Sequence, residues 1–297
     1  MTTSRSIPLT ILIIDDSTPY VESLHRDAQR LNIRLLHSRS LEEGKELFDG
    51  KGRMAAGLIL DVKCLKEKRQ EVPDNSFLIA ALKYFNEKAP HLPTVVLTGE
   101  TDQYRNLKEL YAGTIRVYSK GRDEKEMLSF LIAEAQNLEW IKIVGQYRDV
   151  FDGLSDYLGV EAEQELVSCL RTMQSDDPTV IKNNLICLRR VQEKIYIALN
   201  RADKTLVPSQ YVDGEINVIA CYKSLSEKGH VERYKIIDRF AELVYKITSD
   251  SGAHTPHENP KYPPTRYTMQ AVTFALLDLL LWFKQVMKVK TGGKTEG

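Results

Sequence analysis

The sequence carries no excess of either charge, since 41 lysines and arginines face 41 aspartates and glutamates. A chain so balanced advertises neither nucleic acid nor a membrane surface as its partner. Cysteine is scarce as well. Cys64, Cys169, Cys187 and Cys221 are scattered with no CxxC pair, which fits reduced thiols and a cytoplasmic location better than a disulfide framework. Long apolar runs are missing too. In "MTTSRSIPLTILIIDD" acids cut the run short where an export signal needs small residues and a cleavage site, so it reads as a strand. The run "AVTFALLDLLLWF" is too short to span a bilayer and carries Asp278, so it reads as a core helix.

What is present is length for two domains and a change of rhythm between them. Up to about residue 138, short β-branched runs alternate with amphipathic stretches. The strands expected are "LTILII", "IRLLH" (33–37), "GLILDV" (57–62), "TVVLTG" (94–99) and "IRVYS" (115–119), and Tyr20, Leu24, Ala28 and Leu31 recur at helical spacing after the first. Five βα units imply an α/β fold with a parallel sheet covered on both faces, because parallel neighbours need right-handed crossovers. In such sheets chemistry collects beyond the carboxyl ends of the strands. Those ends carry Asp15 and Asp16, Asp61, Thr98 and Lys120. Three carboxylates held closely raise one another's pKa unless they share a cation. Oxygen ligands with open positions suit Mg2+. An aspartate beside that ion can accept a phosphoryl group, with Lys120 neutralising developing charge and Thr98 hydrogen-bonding the product.

These residues, each at a strand end and in this order, resemble the receiver domain of two-component response regulators. The resemblance covers residues 7 to about 138, and implies a flavodoxin-like five-stranded sheet with Asp61 as phosphoacceptor, Thr98 as switch hydroxyl and Lys120 as the family's lysine. It further implies Mg2+ held by Asp16, Asp61 and the backbone carbonyl of Lys63, with Asp15 assisting. Lys63 and Glu100 occupy positions that tune loss of the phosphoryl group in similar proteins, and can pair across the mouth. The implied partners are a sensor histidine kinase or phosphotransfer protein, an unknown downstream protein, and a second copy of the chain as one option. Three departures stand out. Gly121 follows Lys120 where the family has proline. Val117 takes the usual aromatic switch position, with Tyr118 one residue later and expected on the other face of the strand. The segment "KCLKEKRQEVPDNS" (63–76) lengthens the stretch from Asp61 to Thr98, and reads as an enlarged loop beside the site.

After "IRVYS", Met127, Leu131, Ala135, Leu138 and Ile141 keep helical spacing, so one helix is expected to continue past the receiver. Residues 139–297 then read as an all-α bundle. Asp177 and Pro178 open one helix, and Gly229 and Gly252 close two others. No glycine-rich phosphate loop, nucleophile elbow, cyclic-dinucleotide signature or histidine-kinase motif is visible there, and no separate catalytic motif defines an enzyme. His254 and His257 beside Glu258 lack a third metal ligand, and read as a surface loop. The segment "SLSEKGHVERYKIIDRF" suits a helix-turn-helix in outline, but its interleaved acids favour bundle packing. A HEPN-like nuclease needs Arg and His a few residues apart on one helix. No such spacing follows residue 140, and Arg30 and His37 bridge a helix and a strand. The leading expectation is a phosphorylated response regulator whose helical half signals by protein contacts. The alternatives are a receiver-controlled enzyme, marked by His254, His257, Arg266 or Arg233 converging in a cleft, and a transcription regulator with a basic face on a helix from Val231 to Thr248.

Overall fold

Strand β1 (Leu9–Ile14) is the pivot of the first half: its last four residues are fully buried, and it pairs in parallel with β2 (Ile33–Ser38) on one side and β3 (Gly57–Asp61) on the other. β4 (Thr94–Thr98) and β5 (Arg116–Ser119) extend the sheet, giving the order β2-β1-β3-β4-β5, all parallel. This is the flavodoxin-like arrangement, with helices α1 (Thr18–Arg30), α2 (Leu41–Gly50), α3 (Phe77–Lys88), α4 (Thr101–Leu110) and α5 (Glu124–Ala135) between or after the strands. The computed structural model describes residues 8–50, 54–250 and 262–292.

Side chains that alternate along the strands build two apolar layers. Ile11, Ile13, Ile59, Val95, Leu97 and Tyr118 pack with Val21, Leu24 and Ala28 of α1 and with Met127, Leu128 and Leu131 of α5. Leu12, Ile14, Leu58, Leu60, Val96 and Val117 face the opposite way, onto Phe48 of α2 and onto Phe77, Leu82 and Phe85 of α3. Helix α2 approaches β1 so closely that a Cβ on Gly44 would collide with the buried Ile14 side chain. Glycine there is a packing requirement.

The expected continuous helix beyond residue 123 is a correction. α5 ends at Ala135, its last turn closed by bonds from Asn137 and Leu138 N–H to the Glu134 and Ala135 carbonyls, and α6 (Glu139–Gln146) starts anew. Asn137 favours such local turns over a helix interior, which apolar spacing alone does not register.

The chain forms two compact units, residues 1–142 and 143–297. In the second, the short helices α7 (Arg148–Phe151) and α8 (Leu154–Leu158) lead to α9 (Val160–Thr172), α10 (Pro178–Ala202), α11 (Val218–Glu227), α12 (Ile236–Thr248) and α13 (Arg266–Gly292). Asp177 caps α10 by accepting from Thr179 N at 2.7 Å, with Pro178 in the first turn, an arrangement worth about 1 kcal/mol. α13 carries the apolar run. Leu276, Leu280 and Phe283 are fully buried, while Asp278 points to solvent. The buried Lys284 donates to the Asp149 and Val150 carbonyls at 2.6 and 3.2 Å, satisfying the free C-terminal carbonyls of α7. Among the described residues no helix is long and apolar enough to cross a membrane.

The helix expected from Val231 begins at Ile236 instead. Tyr234 adopts a positive φ of 63° and breaks the path, and its N–H donates to Asp238 Oδ2 at 2.7 Å. Gly229 sits at φ 73° behind α11, as its glycine stop requires. Gly252, His254, His257 and Glu258 lie outside the described residues.

Candidate phosphoacceptor and metal site

Four strand ends deliver the site. Asp15 follows β1, and its backbone N–H donates to the Ser38 carbonyl of β2 at 3.1 Å, which keeps it in line with the sheet. Asp61 ends β3 and Thr98 ends β4, while Lys120 follows β5 with its N–H on the Thr98 carbonyl at 2.8 Å. The Lys120 ammonium then reaches back across the sheet edge to lie 2.7 Å from Asp15 Oδ2 and 2.7 Å from Asp61 Oδ2. The remaining carboxylate oxygens are held by backbone. Asp15 Oδ1 accepts from Ser17 N at 2.9 Å, and Asp61 Oδ1 from Val62 N at 2.7 Å.

Asp15, Asp16 and Asp61 each offer an oxygen within 4.8 Å of the others, a set that could hold a metal ion. One ammonium faces three carboxylates, so the cluster is short of positive charge. Burial, and then the neighbouring Asp15, push the Asp61 carboxyl up to about 6, against the pull of Lys120. Burial works against the charge on Lys120, yet Asp61 and Asp15 prevail and hold its pKa above the ordinary lysine value. Hard oxygen donors with an unbalanced negative charge fit a divalent cation of the Mg2+ type.

Thr98 is buried, and its hydroxyl donates to Gln103 Oε1 at 3.4 Å and accepts from Glu100 N at 3.2 Å. Lys63 and Glu100 pair at 3.0 Å, with side chains 41% and 57% exposed, across the mouth from β3 to β4. An ion pair this exposed contributes under ~1 kcal/mol. Tyr118 is not brought to the rim. It packs on Phe130 of α5, with ring centroids 6.5 Å apart, whereas Val117 faces the α2 and α3 layer.

Three residues of the site escaped the sequence reading. Tyr20 lies under the Lys120 ammonium, 4.9 Å from ring centroid to Nζ, and donates its hydroxyl to Glu124 Oε1 at 2.9 Å. Glu124 also accepts from Gly121 N, which ties the turn after Lys120 to α1. His37 Nε2 donates to the Asp15 carbonyl at 2.7 Å. Nothing in sequence spacing marks these contacts, since they join residues 104 and 22 positions apart. Arg30 pairs with Asp27 at 3.0 Å and is not part of this group.

The enlarged loop runs along the start of α2. Leu41 and Glu42 donate their N–H groups to the Leu65 and Lys66 carbonyls, and Lys68 N donates to Glu42 Oε2. Together with Arg39 and Ser40, loop residues Leu65, Lys68, Arg69, Gln70 and Glu71 line a cavity of about 450 Å³ that reaches Asp16. In the helical unit, Arg266 pairs with Asp176 at 3.1 Å and Arg233 stacks on Tyr234, each occupied with its own neighbour.

No protein-family model matches this chain. No curated protein matches it either. Among solved structures, it is similar to one described as a response regulator receiver domain protein from Clostridium thermocellum, at 18% identity and a TM-score of 0.35, across 43% of this chain and 95% of that one.

Proposed function

We propose that the chain is a response regulator in which Asp61 accepts a phosphoryl group. One observation carries this reading: the Lys120 ammonium bridges Asp15 and Asp61 at 2.7 Å each, inside a three-carboxylate cluster. Asp61 presents a carboxylate at the open end of a parallel sheet, where a phosphodonor can approach in line. An Asp61 oxygen forms the new P–O bond as the donor's bond to phosphorus breaks. Lys120 stays within reach of the oxygens that gain charge, and the Thr98 hydroxyl is the donor available to the phosphorylated form. Asp15, Asp16 and Asp61, with the Lys63 carbonyl, would hold Mg2+. When bound, that ion would neutralise the phosphoryl oxygens.

In this reading residues 1–138 receive the signal and residues 139–297 transmit it through protein contacts. The donor is a sensor histidine kinase or a phosphotransfer protein in the cytoplasm, and the added charge of nearly two at the rim biases the two states of the switch. Glu100 and Lys63, paired across the mouth, are placed to set the lifetime of the phosphoryl group. Intact-mass measurement after incubation with acetyl phosphate and Mg2+ tests this. A single phosphoryl adduct on the wild type and none on Asp61→Asn is expected; equal modification of both proteins would sink the assignment.

A further inference from the structure

Helices α9 and α10 of the second unit pack along a polar seam, and two of the four cysteines meet there. Cys169 is fully buried on α9, its thiol 3.7 Å from the Asn184 carbonyl of α10. One turn further along α10, half-buried and beside the Cys169 thiol, lies Cys187. The Arg190 guanidinium donates to the Cys187 sulfur at 3.2 Å, and is itself held by Glu165 at 2.8 Å. Cys64 and Cys221 are both buried, and burial pushes each thiol up to about 12. Cys187 goes the other way. The neighbouring Cys169 thiol and the Arg190 guanidinium hold its pKa below the ordinary thiol range, while Cys169 is held above it.

We propose that Cys187 and Cys169 form a hydroperoxide-reactive dithiol, with Cys187 the attacking sulfur and Cys169 the resolving one. The Cys187 thiolate attacks one peroxide oxygen. An S–O bond forms, the O–O bond breaks, and the departing hydroxide takes a proton to leave as water. Sulfur is oxidised by two electrons and the peroxide is reduced. Cys169 then attacks the Cys187 sulfenic acid, so that an S–S bond forms, the S–O bond breaks, and hydroxide leaves with the Cys169 thiol proton as a second water. Two thiols and one peroxide become one disulfide and two waters. An external dithiol reverses the change. The product staples α9 to α10 in the helical unit, independently of phosphate chemistry at the rim.

The test treats the full-length protein with hydrogen peroxide, blocks remaining thiols with N-ethylmaleimide, and maps non-reduced peptides by mass spectrometry. The expected result is a cross-linked peptide joining residues 169 and 187, with Cys64 and Cys221 still alkylated, and recovery of all four thiols with dithiothreitol. Cys169→Ser should trap Cys187 as a dimedone adduct, and Cys187→Ser should leave Cys169 unoxidised. Arg190→Gln should slow alkylation of Cys187 at pH 7 about ten-fold, as loss of thiolate implies. Wild-type protein that reacts at Cys187 without the cross-link, or that oxidises Cys64 or Cys221 first, would overturn the proposal.

Discussion

Asp61 shows how one residue's surroundings decide its chemistry. Its carboxyl is burdened first by burial and then by Asp15, and relieved by Lys120, with a balance near 6 against an ordinary 3.8. In the metal-free protein the folded form therefore keeps this proton across a window, from about pH 4 to about pH 6, in which the unfolded chain has released it. Stability from this group is present below that window, falls as pH rises through it, and does not return above it. Carboxyl-carbon NMR titration should find Asp61 near pH 6, and Lys120→Met should move it higher still, since the lysine is what holds it down. A normal value in both proteins would mean the carboxylates are not confined as described. Asp16, which has no such lysine contact, offers the complementary test. Asp16→Asn should stabilise the metal-free protein by about 1 kcal/mol through lost repulsion; Mg2+ should raise the melting temperature of the wild type, and Asp16→Asn should abolish that rise.

At the scale of elements, strands were legible and their side-chain contacts were not. Short β-branched apolar runs and the acids that stop them located β1 and β3 within a residue, because a buried strand has to be apolar until it reaches the rim. The same reasoning put Val117 and Tyr118 on opposite faces. It could not find Tyr20, Glu124 or His37 at the site, for these depend on how α1, α5 and β2 fall beside β1. The turn after Lys120 illustrates the difference. Gly121 has a φ of 78°, in the left-handed region, and donates its N–H to Glu124. Proline at this position cannot adopt that φ and has no N–H to give. Gly121→Pro should thus cost ~2–3 kcal/mol in denaturant melts and displace Lys120 from Asp61, while Gly121→Ala costs about 1 kcal/mol. Equal stability of the proline variant would show that the turn is not held as observed. The break between α5 and α6 was missed for a related reason, since apolar spacing ran on through Leu138 while Asn137 and the local hydrogen bonds ended the helix.

Across the whole molecule, the two units differ in how much chemistry their sequences display. The first concentrates five informative residues at strand ends, which is why a candidate site is legible in its sequence. The second is held by features with no signature, such as Lys284 beneath α7 and the pair of Lys290 with Asp203 at 2.6 Å. Hydrogen bonds from Lys290 and Thr205 hold the Asp203 carboxyl below its ordinary value. Its contribution is present above about pH 4 and is lost as pH falls through the depressed folded value. Lys290→Met should accordingly lower stability near neutrality by about 0.5–1 kcal/mol, with the difference from wild type shrinking in acid. A difference that does not depend on pH would assign the loss to packing of the lysine stem instead.

Under the proposed function, phosphoryl transfer falls on Asp61. Reduction of the acetyl phosphate-treated protein with labelled borohydride converts an aspartyl phosphate to homoserine, which peptide mapping then locates. Label at residue 61, dependent on Mg2+ and abolished by Lys120→Met, is the predicted result. Label at another aspartate, or none at 61 under conditions where the fold is intact, would contradict it.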